Sequence, residues 1–83
     1  MKLTIEFYGR LKSEFSPTSI ELDMTDFGSN VSLKEIYLKI CQSHQVTADT
    51  QIIKPILNDT FADWNDVVKA NDVVGFFPPA SGG

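Results

Sequence analysis

A single segment of this chain has the pattern of an amphipathic helix, and this limits the folds that the chain can adopt. Ser32 is followed three residues later by Glu35, which is the capping-box sequence that starts a helix. We expect the helix to end near Ser43 or His44, where polar sequence takes over. Apolar residues recur at helical spacing and predict one buried stripe, made of Leu33, Ile36, Tyr37, Ile40 and Cys41. With one helix in 83 residues, the rest of the core has to come from strands.

Two alternating segments before the helix predict a pair of strands. Residues 2–8 place Leu3, Ile5 and Phe7 on one side, and residues 19–24 alternate in the same way. Strand, turn and strand in succession predict an antiparallel hairpin with a connection longer than the tight two-residue kind.

Further strands are predicted after the helix. Asn58-Asp59 is a turn signal between two short strands, and Pro78 ends the last strand. A connector between these strands is expected to hold three side chains on the core, those of Trp64, Val67 and Val68.

The resulting order is β-β-α-β-β-β, with the most apolar strands at the two ends. If the first and last strands are neighbours they pair in parallel, because the connection between them contains the helix. We predict an α+β fold in which a mixed sheet of four to five strands packs on one main helix, as in the β-grasp arrangement of ubiquitin. The pattern alone does not determine the complete strand order.

Composition and motifs argue against several classes of function. Seven Lys and Arg against 11 Asp and Glu give a net charge of −4, so no basic stripe is available for nucleic acid. One cysteine and one histidine are too few for a typical zinc site, and we interpret Cys41 as a core residue and His44 as a helix-end residue. No segment approaches the roughly 20 apolar residues of a membrane span, and no signal peptide is recognised. We expect a cytoplasmic protein that is not an enzyme on its own.

Strand parity separates the two aromatic residues of the last strand. Phe76 shares a side with Val74 and is predicted to be in the core, whereas Phe77 points to the opposite side. Tyr8 is expected to face out, and Phe61 could join the same surface. An exposed apolar cluster indicates a binding surface. The alternative is that Phe77 folds back under a loop.

The C-terminal segment "PPASGG" has the properties of a stiff spacer that carries a functional group. Pro78 and Pro79 favour polyproline II, and residues 78–83 can reach on the order of 20 Å when extended. Gly82 and Gly83 have no side chains, so the reactive group at this end is the carboxylate of Gly83. We predict a domain over residues 1–77 and a flexible tail over residues 78–83.

The segment "NDVVGFFPPASGG" closely resembles the C-terminal signature of the molybdopterin synthase small subunit, the sulfur carrier of molybdenum cofactor synthesis. That family ends in D-x-V-x-F-F-P-P-x-x-G-G, and the matching residues are Asp72, Val74, Phe76, Phe77, Pro78, Pro79, Gly82 and Gly83. The length, the opening strand, the capped helix and the "LNDTF" turn also fit. Gly75 replaces a commoner alanine-like residue and Tyr8 a frequent phenylalanine. Neither departure touches the chemistry of the tail.

The resemblance implies a mechanism centred on Gly83. An E1-like enzyme would adenylate its carboxylate with ATP, and a sulfur donor would convert it to a thiocarboxylate. The tail would then enter the large subunit of a heterotetrameric synthase, and its sulfur would attack cyclic pyranopterin monophosphate. No cofactor is expected on this chain.

The resemblance also implies which residues contact the partner proteins. The family's interface positions map onto Tyr8, Phe61 and Phe77, and Lys12 is the nearest match to a basic residue found after the first strand. The tail residues expected to bind the partner are Pro78, Pro79, Ala80 and Ser81.

Two other readings of the function remain open. One is a sulfur carrier for thiamine thiazole synthesis or tRNA thiolation, and the other is a ubiquitin-like modifier or interaction module. The Phe-Phe-Pro-Pro step favours the molybdopterin reading.

Overall fold

The computed structural model describes residues 2–9, 11, 19–23 and 30–78. A mixed sheet forms the centre of this part of the chain. Within these residues the sheet has five strands: β1 (Lys2–Phe7), β2 (Ser19–Asp23), β3 (Lys54–Leu57), β4 (Thr60–Phe61) and β5 (Val73–Phe77). Their order across the sheet is β2-β1-β5-β3-β4. β1 and β5 are parallel, and each of the other neighbouring pairs is antiparallel. The predicted hairpin and the predicted element order are confirmed.

The parallel pair at the centre brings together strands from opposite ends of the chain. Ile5 lies opposite Val74, and Phe7 lies opposite Phe76. Parallel strands need a long crossover connection, and here that connection contains the helix α1 (Leu33–His44). The predicted arrangement, a mixed sheet with a helix on one face, is confirmed.

Helix α1 begins at the predicted cap. The backbone N–H of Glu35 donates to Ser32 Oγ at 3.2 Å, and the backbone N–H of Ser32 donates to Glu35 Oε1 at 3.2 Å. These reciprocal bonds satisfy two donors that the first turn of a helix leaves without partners. At the other end Gln45 has a left-handed backbone, with φ of 57°, and its N–H donates back to the Gln42 carbonyl at 3.3 Å.

The core lies between α1 and one face of the sheet. The whole predicted helical stripe is buried, as are the inward residues of the central strands: Leu3, Ile5, Phe7, Val74 and Phe76. The ring of Phe76 lies 5.0 Å from that of Tyr37 and is stacked 6.0 Å from that of Trp64. The indole N–H of Trp64 donates to the Thr50 carbonyl at 2.8 Å, so its polar atom is satisfied. Burial raises the pKa of Tyr37 to about 12.

One expectation about the connector before β5 is wrong. Val68 is buried and Trp64 packs against the core, but Val67 is exposed. The reason is backbone pairing with the residues that precede α1. Val67 forms a bridge with Ser32, and the N–H of Val68 donates to the Val31 carbonyl at 3.0 Å. Adjacent residues of extended backbone face opposite sides, so Val67 and Val68 cannot both point to the core.

The turn between β3 and β4 is tied to the start of β5. Asn58 and Asp59 both have left-handed backbones, with φ of 50° and 70°, as the predicted two-residue turn requires. The amide of Asn58 donates to Asp72 Oδ1 at 3.0 Å, and the N–H of Val73 donates to Asn58 Oδ1 at 2.9 Å. Asp72 also accepts from the N–H of Lys69 at 2.7 Å. Asn58 of "LNDTF" and Asp72 of "NDVVGFFPPASGG" therefore hold the β3–β4 turn against the start of β5.

The contrast between adjacent phenylalanines can be tested by unfolding. We expect Phe76→Ala to lower the free energy of unfolding by roughly 3–5 kcal/mol, because it empties the aromatic part of the core. Phe77→Ala, the matched control, should cost about 1 kcal/mol, because 40% of that side chain is already exposed. Urea denaturation measures both values. Equal losses for the two variants would contradict this assignment of faces.

Candidate functional site

Three aromatic rings lie in a row on the face of the sheet opposite α1. The Tyr8 and Phe77 rings have centroids 5.9 Å apart, and the Phe77 and Phe61 rings are also 5.9 Å apart, edge to face. Phe61 is 64% exposed and Phe77 is 40% exposed. We call these three residues the aromatic row. The predicted exposure of Phe61 and Phe77 is confirmed, and so is the burial of Phe76, which is 0% exposed.

Strand register explains why the row forms. Ile56 on β3 is paired with Gly75 on β5 and with Phe61 on β4, so these residues face the same side. Phe77 lies two residues beyond Gly75 on that side, diagonally across β3 from Phe61. The two rings meet over β3, because both side chains are long enough to reach across the strand between them.

A glycine in β5 makes room for the first ring of the row. A Cβ atom placed on Gly75 would lie 2.6 Å from Cε2 of Tyr8 and 3.4 Å from Cβ of Ile56. The Tyr8 ring therefore packs directly on the backbone of β5, and Gly75 is buried beneath it. The sequence shows Gly75 and Tyr8 as two separate departures from the family pattern, but the structure makes them one contact. A glycine inside a strand is the signal that could have indicated this close approach.

The hydroxyl of Tyr8 is directed along β1. It donates to Glu6 Oε1 at 3.0 Å. The pKa of Tyr8 is raised from 10.0, first by burial, then by this hydrogen bond and by the negative charges of Glu6 and Asp59. Tyr8 therefore stays protonated through the neutral range. It presents a large apolar ring with a fixed polar edge, and sequence reasoning missed the role of Glu6 in holding it.

The first residue after β5 is buried next to this row. Pro78 packs against the turn that follows β1, where Gly9 has φ of +57°. A Cβ atom on Gly9 would lie 2.8 Å from Cγ of Pro78. The N–H of Tyr8 also donates to the Phe76 carbonyl at 3.3 Å. Sequence reasoning assigned Pro78 to the tail and did not identify Gly9 as part of the site.

The remaining predicted site residues lie outside the described part of the chain. They are Lys12, Pro79, Ala80, Ser81, Gly82 and Gly83. Their roles, and the predicted boundary between domain and tail, stay predictions. The structure thus brings Tyr8, Phe61, Phe77 and Pro78 together at one end of the sheet and leaves the tail chemistry to the sequence.

The two residues whose side chains could carry chemistry, Cys41 and His44, both lie in α1. Cys41 is buried in the helical stripe, and His44 Nδ1 lies 3.1 Å from the Ile40 carbonyl oxygen. In residues 2–9, 11, 19–23 and 30–78, no group of His, Cys, Asp or Glu could hold a metal ion. Over the same residues, no helix has both the length and the apolar character needed to cross a membrane. What the site offers is an apolar surface for binding, adjoining the point where the chain leaves the sheet.

A known protein family matches most of this chain. The model of the ThiS family matches residues 8–83. No curated protein matches the chain.

Solved structures share the whole architecture at low sequence identity. SAMP1 from Haloferax volcanii superposes with a TM-score of 0.79 at 17% identity, covering all of both chains. A protein named as molybdopterin converting factor, subunit 1, from Pyrococcus furiosus has a TM-score of 0.76 at 19% identity, over 95% of this chain and 98% of the other. The complex of subunits 1 and 2 of the molybdopterin-converting factor from Helicobacter pylori contains a chain with a TM-score of 0.67 at 23% identity, covering both completely. These likenesses confirm the ubiquitin-like β-grasp fold.

The bond between Tyr8 and Glu6 gives a testable pKa shift. We expect Glu6→Gln to lower the pKa of Tyr8 toward 10.0, because the variant removes a negative charge while the ring stays buried. The absorbance of tyrosinate measures it, and a Tyr37→Phe background removes the signal of the second tyrosine in the described chain, whose pKa burial raises to about 12. Glu21→Gln is the control, because Glu21 is exposed on β2 opposite Thr4. An unchanged Tyr8 pKa in Glu6→Gln would contradict the hydrogen bond.

Proposed function

The chain belongs to the ThiS family, and on that premise we propose that it is the sulfur carrier subunit of a molybdopterin synthase. The family consists of small carrier proteins with a ubiquitin-like fold rather than catalytic domains. The observation that carries the proposal is the position of the aromatic row directly beside Pro78, the first residue of the segment that ends in Gly82 and Gly83. A docking surface and a slim, carboxylate-ended tail at the same end of the sheet are what a carrier has to present to its partners.

The first chemical step takes place at the C-terminal carboxylate of Gly83. A carboxylate oxygen attacks the α-phosphorus of ATP on an E1-like enzyme, and pyrophosphate leaves. The resulting acyl adenylate has a good leaving group, which the free carboxylate lacks. Hydrosulfide then attacks the acyl carbon and AMP leaves, so that one oxygen of the carboxylate is replaced by sulfur.

The second step uses that sulfur as a nucleophile. The thiocarboxylate enters the large subunit, and its sulfur attacks a carbon of cyclic pyranopterin monophosphate and displaces an oxygen substituent there. Water then cleaves the bond between the acyl carbon and the sulfur, so Gly83 is released as a carboxylate and the sulfur stays on the substrate. Two such transfers build the dithiolene that binds molybdenum. The large subunit supplies the lysines and the substrate pocket, and this chain supplies the sulfur. Gly82 and Gly83 suit this role because they have no side chains to obstruct a narrow channel.

The aromatic row supplies the contact with the partner proteins. Aromatic side chains are enriched at the centres of interfaces, where they bury a large area at low entropic cost. We propose that the row binds the large subunit, and that the E1-like enzyme is the second partner. The complex of subunits 1 and 2 of the Helicobacter pylori factor supports a large-subunit partner. The proposed assembly is a heterotetramer in the cytoplasm.

A second candidate function is a ubiquitin-like protein modifier. The likeness to SAMP1, a small archaeal modifier protein, favours it. Both functions begin with activation of the same carboxylate and differ in the final acceptor. In a modifier the acyl group of Gly83 passes to a lysine amine, whereas in a carrier only sulfur leaves. A carrier for thiamine thiazole synthesis or tRNA thiolation differs in the final sulfur acceptor.

The thiocarboxylate can be detected directly. We expect the chain, incubated with its E1-like enzyme, MgATP and sodium sulfide, to gain the mass of one oxygen-to-sulfur replacement. Intact-mass spectrometry measures the change, and a variant that lacks Gly83 is the control. Absence of the replacement would rule out every carrier reading, and attachment of the chain to protein lysines would support the modifier instead.

The docking role of the row can be separated from its role in folding. We expect Phe77→Ala to weaken binding to the large subunit at least tenfold, because it removes the middle ring of the row. Leu38→Ala is the matched control, since Leu38 is 43% exposed but lies on α1, away from the row. Isothermal titration calorimetry measures both affinities. Equal affinity of Phe77→Ala and wild type would refute this docking surface.

A further inference from the structure

We propose that Gly9 and Gly75 are positioning residues, which hold the first residue of the tail at a fixed place relative to the aromatic row. Each glycine lies beneath the ring of a residue that directly follows a central strand: Tyr8, after β1, lies on Gly75, and Pro78, after β5, lies on Gly9. We call these four residues the glycine clamp. The inference rests on the proposed carrier function for its purpose, but the clamp itself is a feature of the described structure.

The contact at Gly9 disfavours a residue with a Cβ atom for two reasons. Its φ of +57° lies in the left-handed region, where residues with a Cβ are strained. A Cβ atom would also lie 2.8 Å from Cγ of Pro78, well inside ordinary contact distance. The turn cannot easily move aside, because the N–H of Leu11 donates to the Tyr8 carbonyl at 3.1 Å and Leu11 is itself buried.

The contact at Gly75 excludes a side chain for a different reason. Gly75 lies in regular β5, so its backbone conformation does not require glycine. The requirement comes from the Tyr8 ring, whose Cε2 would be 2.6 Å from an added Cβ. That ring is held in turn by the hydrogen bond of its hydroxyl to Glu6. A methyl group here would have to displace the ring that begins the aromatic row.

The two contacts couple the docking surface to the tail. Tyr8 and Gly9 are the two residues that follow β1. Phe77 is the last residue of β5, and Pro78 follows it. Tyr8 and Phe77 belong to the row, while Gly9 and Pro78 set the point from which the remaining residues continue. Proline at position 78 also fixes its own φ near −65°. When the aromatic row binds a partner, the position of Pro78 relative to that partner is therefore already set.

Such placement matters for a reaction at the far end of a short tail. Residues 78–83 reach at most on the order of 20 Å, so a displaced origin moves the attainable positions of the carboxylate. A misplacement of about 1 Å in a reacting group can cost up to about a hundredfold in rate. We therefore expect an effect on the order of tenfold on the rate of activation, with the affinity of the row unchanged.

The activity test uses Gly9→Ala in the thiocarboxylation assay. We measure initial rates against carrier concentration with the E1-like enzyme, MgATP and sodium sulfide. The expected result is a kcat lower on the order of tenfold with KM within twofold of wild type. Equal kcat values for Gly9→Ala and wild type would overturn the proposal, as would a change confined to KM.

Two further variants distinguish positioning from loss of stability. Asn71→Ala is the matched control, because Asn71 also has a positive φ, of 70°, but lies at the opposite end of β5 from Pro78. It should leave kcat within twofold of wild type. The second comparison adds Gly9→Ala to Pro78→Ala, which has no proline ring to collide with the new methyl group. We expect Gly9→Ala to change kcat less than twofold in that background, and a full tenfold loss there would show that the contact is not the cause.

A measurement on the free protein tests the clamp without any enzyme. Nuclear Overhauser effects should connect the Hα protons of Gly9 with the ring protons of Pro78, and those of Gly75 with the ring of Tyr8. Their absence in wild type would overturn the clamp. If these contacts are present but no thiocarboxylate forms on the wild-type chain, the clamp stands as a structural coupling and the carrier function fails.

Discussion

The parallel pairing of β1 with β5 is the constraint on which the rest of this structure depends. A parallel pair requires a long crossover, and the helix in that crossover is what covers the inner face of the sheet. The same pairing makes the two strands end side by side, so that Tyr8 adjoins Phe77 and Gly9 adjoins Pro78. An antiparallel arrangement of the same two strands would place these residues at opposite ends of the sheet.

The alternation of side chains along β5 separates the aromatic residues of the core from those of the surface row. Phe76 points inward and joins Tyr37 and Trp64, while Phe77 points outward and joins Tyr8 and Phe61. A shift of one residue in the register of β5 would exchange these roles. The bonds from Asn58 to Asp72 and Val73 oppose such a shift, because they fix the start of β5 against the turn after β3.

The arrangement fits the proposal that a domain of 83 residues takes part in chemistry through its partners. A small domain has little stability to spare for a deep active site. The proposed carrier instead offers an apolar docking row and a terminal carboxylate, and its partners supply the activation. The glycine clamp links these two functions mechanically, because both of its rings come from the ends of the central strands.

Local patterns in the sequence were sufficient for the elements and for their inward faces. The capping box at Ser32, the helical stripe and the period-two strands report interactions between residues that are close along the chain, so they can be read without a structure. The separation of Phe76 from Phe77 follows from the same periodicity. The signature of the tail indicated a ubiquitin-like sulfur carrier, and the model of the ThiS family matches residues 8–83.

Other features depend on contacts between residues far apart in the sequence, and only the tertiary structure determined them. Val67 faces solvent because its backbone pairs with Ser32, and no local pattern indicates that partner. Gly75 is needed because the ring of Tyr8 lies on it, and Gly9 because Pro78 lies on it. Taken alone, each of these glycines is compatible with an ordinary strand or turn. Helical and period-two patterns in the sequence indicated the inward faces of the helix and of the strands. The pairing of β1 with β5 decided which surface residues meet, because steric contact between strand ends exists only after the chain has closed on itself.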